Sequence, residues 1–247
     1  MFPIRDLNPT RIFPFLTIMF IAVNVAVFVL WQPHDTLDAE YAFLYENAAV
    51  ACELTTGEPL SADEIETGQC NDDNATPEFP DKNIWLSAAV SMFLHGGIAH
   101  LLFNMWFLWI FGNNIEEAYG SAGYLFMYLI SGVGATAAFV LANQDATVPM
   151  IGASGAIAGV LGAYLVLFPR HKILSVFIYF FVHIPAGLYL ALWFALQFLN
   201  QDEGVAWEAH VGGFIVGVIL TLLLRPLLVA RLRRIHEPVP RVQPMFR

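Results

Sequence analysis

Residues 98–141 read IAHLLFNMWFLWIF, GNNIEEAYGSA and GYLFMYLISGVGATAAFVL, which are two apolar runs separated by a short polar stretch. A helix needs about 20 mostly apolar residues to cross a hydrocarbon core of about 30 Å, and both runs approach that length. Two such runs joined by a polar turn are typical of neighbouring membrane helices. The stretch therefore predicts an all-α membrane protein.

The rest of the chain repeats this pattern. Of the 247 residues 57% are apolar, and they are concentrated in long blocks rather than spread at strand or amphipathic spacing. No small-residue cleavage site closes the first block, so we expect it to be a retained anchor and not a signal peptide. The prediction is a six-transmembrane-helix bundle in a single domain covering residues 1–247. The predicted helices are 12–31, 98–111, 123–141, 155–168, 173–199 and 205–224.

The charges assign the connections to two sides of a membrane. Thirteen of the 21 acidic residues lie between Asp35 and Asp81. They fall within residues 32–84, which we predict to be a loop and call the acidic segment. Short connections rich in Lys and Arg stay in the cytoplasm. Six crossings place every basic residue except Lys82 on one side: Arg5, Arg11, Arg170, Lys172, Arg225, Arg231, Arg233, Arg234, Arg241 and Arg247. We therefore expect a bacterial or archaeal plasma-membrane protein with cytoplasmic termini, an external acidic segment, and a cytoplasmic tail at 231–247 near anionic lipid.

Both cysteines, Cys52 and Cys70, lie in the acidic segment. In an oxidising compartment they are a candidate disulfide, which would contribute about 3 kcal/mol to local stability. Two free thiols are the alternative.

A few strongly polar residues interrupt the apolar blocks, and such residues indicate function because their burial in lipid is costly. Counting about 1.5 Å per residue from the charged residue that ends each helix places Ser154, His210 and His100 about 22 to 24 Å from the cytoplasmic face. Asn104 lies one turn from His100 on the same helix face. Three helices are therefore predicted to present a hydroxyl, two imidazoles and an amide at a common depth.

Ser154 is predicted to stand at the start of its helix, because the polar stretch 143–149 must be a loop that dips inward. The free backbone N–H groups at a helix start favour a developing negative charge. Asn104 and His100 could supply side-chain donors to the same oxygen. This combination indicates an oxyanion hole.

Glycines on two of these helices predict close packing between them. They are Gly155 and Gly159 after the serine, and Gly213 and Gly217 after the histidine. Facing glycines let two membrane helices approach closely enough for a hydroxyl to reach an imidazole. Glu208 lies two residues from His210 and on another face, so we expect a Ser/His dyad without a third carboxylate.

The segments HGGIAHLLFN at 95–104, GASG at 152–155 and HVGGFIVG at 210–217 resemble, in order, the three signature motifs of the rhomboid family of intramembrane serine proteases. The resemblance covers about residues 98–224. It implies a rhomboid-like bundle of six helices, a Ser154/His210 dyad, and an oxyanion hole from His100, Asn104 and the Ser154 N–H. It also implies cleavage of transmembrane segments of single-pass or polytopic membrane proteins near the external face of the lipid bilayer. No metal, ATP, other cofactor or nucleic acid is expected to take part.

Two features depart from that family pattern. Ala158, four residues after the serine, stands where some members carry an aromatic residue that stacks on the histidine, so another group must orient the imidazole. The acidic segment lacks the Trp-Arg pair of many relatives. His183 has no role in the resemblance and is expected to be buried in a kinked helix at 173–199.

Two other functions remain open. A metalloprotease or metal transporter would use His95, His100 and His210, but the spacing of the first two is poor for zinc. A catalytically inactive relative would bind and escort membrane proteins, although the intact serine and histidine argue against it.

Overall fold

A computed structural model describes residues 2–70, 75–199 and 205–237 of the chain. The helices are α1 Phe15–Leu30, α2 Leu37–Asn47, α3 Ala51–Thr56, α4 Ala62–Thr67, α5 Ile84–Val90, α6 Ile98–Ala142, α7 Ser154–Leu167, α8 Ala186–Gln197 and α9 Trp207–His236. The strands are β1 Phe2–Asp6, β2 Ala49–Val50, β3 Pro149–Met150, β4 Lys172–Phe177 and β5 Phe180–Pro185.

The two apolar runs of residues 98–141 belong to α6, which is divided at Gly120. Gly120 has φ 70° and ψ 159°, a conformation that favours glycine, and the chain reverses direction there. The Tyr119 hydroxyl lies 2.7 Å from Thr221 Oγ1, and Gly134 lies against Val216 farther along. The second arm of α6 therefore runs antiparallel to α9.

Among the described residues, α6 and α9 are long and apolar enough to cross a membrane. Helices α1, α7 and α8 are also apolar but have 16, 14 and 12 residues. Helix α9 continues beyond the predicted end at 224 into the predicted tail, because strong helix formers persist until Glu237 precedes a proline. Residues 238–247 of that tail lie outside the described residues.

The predicted helix at 173–199 is wrong in its first half. Residues 172–185 form the β4–β5 hairpin, in which Phe177 pairs with Phe180, and α8 begins only after Pro185. Residues 172–185 are rich in β-branched and aromatic side chains, which favour strands, and Pro185 is suited to the position just before a helix. His183 is consequently an exposed residue of β5 and not a buried residue of a kinked helix.

A three-stranded antiparallel sheet of order β1-β4-β5 lies beside the first arm of α6. The Phe2 ring stacks on Trp106 with centroids 5.7 Å apart, and Trp106 Nε1 donates to the Pro3 carbonyl at 2.7 Å. At the other end of β1, the Asp6 carboxylate accepts a hydrogen bond from Asn114 Nδ2. Strand β1 therefore follows the helix surface from Trp106 to Asn114.

The acidic segment, predicted as a loop, is folded into the short helices α2, α3 and α4 and the start of α5. Cys52 and Cys70 form a disulfide that packs with Val50. Lys82 and Glu53 form an ion pair with side chains 1% and 3% exposed. Burial raises the pKa of Glu53 and lowers the pKa of Lys82. The segment thus has its own small core.

Backbone hydrogen bonds attach the acidic segment to the chain that leads into α7. Strand β2 pairs with β3, and the Cys52 N–H donates to the Ala146 carbonyl at 3.0 Å. Ser91 joins the two sides: its Oγ accepts from the Ala49 N–H at 2.6 Å, and its carbonyl accepts from the Gly152 N–H at 2.9 Å. The position of the turn before Ser154 therefore depends on the acidic segment.

Candidate active site

A cavity of about 340 Å³ opens between α6, α7, α8 and α9. Ser154, His210, His100 and Asn104, the four polar residues singled out in the sequence, all line it. The rest of its wall is apolar: Phe103, Phe107, Ile151, Ile157, Leu161, Trp193, Val205 and Ala206. The fold therefore gathers the predicted polar groups in one mostly apolar space.

Ser154 and His210 are in hydrogen-bond contact. His210 Nε2 lies 2.9 Å from Ser154 Oγ. Ser154 is the first residue of α7, and His210 lies in the first turn of α9. Both side chains consequently stand at the end of the bundle that carries the acidic segment.

Backbone packing of α7 on α9 holds the serine beside the imidazole. A Cβ at Gly213 would collide with the carbonyl oxygen of Gly155, and a Cβ at Gly217 would collide with that of Gly159. Gly155 and Gly159 also have no room for a side chain toward the second arm of α6. A larger residue at Gly213 or Gly217 would push α9 away from α7, and one at Gly155 or Gly159 would push α7 away from α6.

The turn before Ser154 lies against His100. Gly152 has φ 123°, and a Cβ there would lie 2.8 Å from His100 Nε2, so glycine is required. His100 Nδ1 accepts from the Gly96 N–H at 3.4 Å, which leaves Nε2 as the protonated nitrogen of a neutral ring. His100 therefore presents an N–H donor toward the turn.

Two further kinds of hydrogen-bond donor lie in the cavity that contains the serine hydroxyl. Asn104 Nδ2 donates to the His100 carbonyl at 3.1 Å, which holds the amide on the cavity wall. The N–H groups of the first turn of α7, beginning with Ser154, have no acceptor within the helix. Such an arrangement is suited to stabilising a negatively charged oxygen.

Two residues of α8 that the sequence analysis missed also contact His210. Gln197 Oε1 lies 2.7 Å from His210 Nδ1, and the Trp193 ring centroid lies 6.1 Å from that of the imidazole at an angle of 39°. Ala158 is buried in α7 and does not line the cavity, so the side-chain contacts to the imidazole from outside α7 come from these residues. An aromatic and an amide four residues apart share a helix face. The four-residue spacing of Trp193 and Gln197 is the sequence feature that could have identified them.

Glu208 does not line the cavity that contains Ser154. It lines a second cavity of about 480 Å³, which shares His100, Ile151, Val205 and Ala206 with the first. Among the described residues, no carboxylate lines the first cavity. The contacts therefore run from the Ser154 hydroxyl to the His210 imidazole, and from the imidazole to the Gln197 amide.

The histidines proposed for metal binding are not arranged as a ligand set. The His95 and His100 rings meet edge to face at 5.1 Å, and His210 contacts Ser154 and Gln197. Within the described part of the chain, the ligand atoms close enough to hold a metal ion belong to Cys52, Glu64 and Cys70, two of which form the disulfide.

Comparison with known proteins identifies relatives over most of the chain. The family model for the rhomboid domain matches residues 82–227. RHOMBOID-like protein 4 of Arabidopsis thaliana is 32% identical over 231 residues, which cover 87% of this chain and 54% of that protein. Rhomboid protein 1, mitochondrial, of Saccharomyces cerevisiae is 27% identical over 213 residues, covering 83% and 51%.

A bacterial protease is similar over a shorter region. Rhomboid protease GluP of Bacillus subtilis is 37% identical over 136 residues, which cover 54% of this chain and 25% of that protein. The chain therefore spans between a quarter and about half of the length of these curated relatives.

Proposed function

This chain belongs to the rhomboid family, and from that premise we propose that it is an intramembrane serine endopeptidase with Ser154 as nucleophile and His210 as general base. The observation that carries the proposal is the 2.9 Å contact between His210 Nε2 and Ser154 Oγ inside a mostly apolar cavity. Its substrates are transmembrane segments of other membrane proteins, cleaved near the end of the bundle that carries the acidic segment.

The cavity residues take the following roles in the reaction. His210 Nε2 removes the hydroxyl proton while Ser154 Oγ attacks the scissile carbonyl. The resulting oxyanion accepts hydrogen bonds from the Ser154 N–H, His100 Nε2 and Asn104 Nδ2. His210 then gives its proton to the leaving amine, and a water molecule hydrolyses the acyl-enzyme by the same steps.

The membrane arrangement belongs to the same proposal. Helix α1, the two arms of α6, and α7, α8 and α9 supply six crossings. Helix α7 measures only about 21 Å at 1.5 Å per residue, so Ser154 at its start lies below the membrane surface, where water can still enter. The basic residues favour cytoplasmic termini. The acidic segment then lies outside, where a disulfide between Cys52 and Cys70 persists.

The test is cleavage of synthetic single-pass peptides by the full chain in liposomes. Ser154→Ala should reduce cleavage to background and abolish labelling by a fluorophosphonate probe. Ser131→Ala is the matched control, because Ser131 is a buried membrane serine that does not line the cavity. The control should cleave and label like the wild-type chain.

Two outcomes would contradict the proposal. Full cleavage by Ser154→Ala would remove this residue from the mechanism. A folded wild-type chain that neither cleaves any peptide of a broad panel nor reacts with the probe would be the inactive, escorting relative.

A further inference from the structure

We propose that Gln197 is a positioning residue for His210, whose side-chain carbonyl selects the imidazole tautomer that can accept the proton of Ser154. This inference rests on the proposed function, because it requires His210 to act as a general base. It assigns to α8 a role in the chemistry that the signature motifs on α6, α7 and α9 do not contain.

The hydrogen bonds around Gln197 define the direction of its amide. Gln197 Nε2 donates to the Trp193 carbonyl at 3.1 Å, within α8 itself. The other amide atom, Oε1, therefore faces His210 Nδ1 at 2.7 Å. A carbonyl oxygen can only accept a hydrogen bond, so Nδ1 must carry the proton.

The proton on Nδ1 decides the state of the opposite nitrogen. A neutral imidazole carries a single N–H, so His210 Nε2 has a free lone pair. That lone pair faces Ser154 Oγ at 2.9 Å and accepts its proton. In the other tautomer Nε2 would donate to the hydroxyl and could not remove the proton. The series of hydrogen bonds from the Trp193 carbonyl through Gln197 and His210 therefore has the direction that catalysis requires. It leaves His210 Nε2 free to accept the proton of Ser154.

A buried carboxylate performs this task in Ser-His-Asp proteases, where it holds the correct tautomer and stabilises the imidazolium. Here the described residues place no carboxylate in the cavity. The titratable side chain that shares the cavity is His100, and Glu208 faces the neighbouring one. Gln197 supplies the orienting acceptor without adding a charge to a site within lipid, where an unpaired charge is costly.

The proposed role couples the base to the position of α8. Trp193 and Gln197 lie one turn apart on α8, and both contact the His210 ring. The Trp193 ring also packs on Phe214 of α9, with centroids 6.0 Å apart. If α8 moves away from α9, His210 loses its acceptor and its aromatic neighbour together. The general base is therefore assembled only while α8 is seated.

The test compares kcat, KM and pH profiles of cleavage for the full chain in liposomes, using the synthetic single-pass peptide that the wild-type chain cleaves best. Gln197→Leu should lower kcat by about tenfold to a hundredfold with KM nearly unchanged, because the wrong tautomer becomes populated. Gln197→Glu should keep an acceptor and move the acid limb of the profile to higher pH, since a carboxylate stabilises the imidazolium. Leu196→Ala, on the adjacent exposed face of α8, should match the wild-type chain.

The pH profile separates positioning from a purely structural role. A kcat for Gln197→Leu within twofold of the wild-type value, or an acid limb that Gln197→Glu does not move, would overturn the inference. Thermal unfolding of each variant identifies loss of fold. If Gln197→Leu is unstable, Gln197→Met keeps the side-chain length and is held to the same criterion. Failure of Ser154-dependent cleavage in the wild-type chain would instead refute the proposed function, and this role with it.

Discussion

Two helix contacts of different kinds meet at His210. We call the contact of α7 with α9 the α7 wall and the contact of α8 with α9 the α8 wall. Helices α7 and α9 touch backbone to backbone, because Gly213 and Gly217 lie directly on the carbonyl groups of Gly155 and Gly159. Helix α8 reaches α9 through side chains, and the Phe194 ring stacks on Phe214 with centroids 4.6 Å apart. The outer face of α8 is open, with Leu188, Leu192 and Leu196 54%, 42% and 47% exposed.

The difference indicates which part of the site is rigid and which part can adapt. The α7–α9 contact sets the distance between Ser154 and His210, and interlocked backbones cannot separate slightly without losing the whole contact. The α8 contact sets only the direction of the imidazole through Gln197. The first half of α8 is anchored in the core by Ala186, Tyr189 and Leu190, whereas its second half is held on α9 by a few aromatic contacts. A lightly packed segment of this kind opens at a lower free-energy cost than the core. Under the proposed function, we therefore expect a substrate to enter beside α8.

Adding one methyl group to the α7–α9 contact should have the most severe consequence. Gly217→Ala places a Cβ on the Gly159 carbonyl, so we expect the free energy of unfolding to fall by about 3 kcal/mol or more and cleavage to be lost. Gly123→Ala is the matched control, because its Cβ makes an ordinary contact 3.4 Å from Tyr119. Thermal unfolding and peptide cleavage measure both variants. Equal stability of the two would show that the walls do not differ in this way.

Loss of the disulfide tests the support that the acidic segment gives to the α7 wall. The double variant Cys52→Ser/Cys70→Ser opens a loop whose ends are 18 residues apart, which should lower stability by about 3 kcal/mol. Cleavage should also decrease, because β2 and β3 hold the turn before Ser154. A reducing agent should lower the unfolding temperature of the wild-type chain and leave the double variant unchanged. Equal sensitivity of both proteins would contradict the prediction.

Weakening the α8 wall should have a smaller effect on stability and a selective effect on catalysis. Phe194→Ala removes the ring stacked on Phe214, so we expect a stability loss of about 1 kcal/mol and a several-fold lower kcat as Gln197 loses its alignment. Leu192→Ala, an exposed position on the same helix, is the control. Identical kcat values for these two variants would argue that α8 does not orient the imidazole.

The smallest effect is expected at Asp6, whose contact with α7 is at Tyr164, ten residues beyond Ser154 and away from the cavity. Burial raises the pKa of Asp6 from 3.8 to about 6. The folded state therefore binds the proton more tightly than the unfolded state, and this contribution to stability is present below about pH 4 and is lost as the pH rises through about 6. Unfolding temperatures of the wild-type chain should decline over this interval relative to those of Asp6→Asn. Parallel curves of unfolding temperature against pH for the two proteins would exclude this titration of Asp6. Asp6→Asn should cleave peptides at the wild-type rate.

Much of the candidate site could be predicted from local patterns. The apolar runs limit where the chain crosses lipid, and a regular helix rise converts residue counts into depth, which placed Ser154, His210 and His100 at one level. Glycine spacing identified the helix faces that meet. The family resemblance seen in three short motifs is confirmed by the match of the rhomboid domain model over residues 82–227.

Other parts of the fold were beyond the reach of such patterns. An apolar composition does not distinguish a strand from a membrane helix, so residues 172–185 were assigned to the wrong structure. Because the sequence did not show where α8 begins, it did not show that the helix face with Trp193 and Gln197 points toward α9. The acidic segment was interpreted as a loop because its short helices depend on the disulfide and on the buried pair of Glu53 and Lys82.

Short motifs were enough to predict the family, and the apolar runs and glycine spacing were enough to predict which polar groups share a cavity and which two helices pack backbone to backbone. These features follow from hydrophobicity, helix rise and the absence of side chains at glycine. The amide that contacts His210 and the support of the turn before Ser154 became visible only in the folded chain. Both depend on contacts between residues far apart in the chain, whose geometry is set by the rotation of whole helices and not by any local pattern.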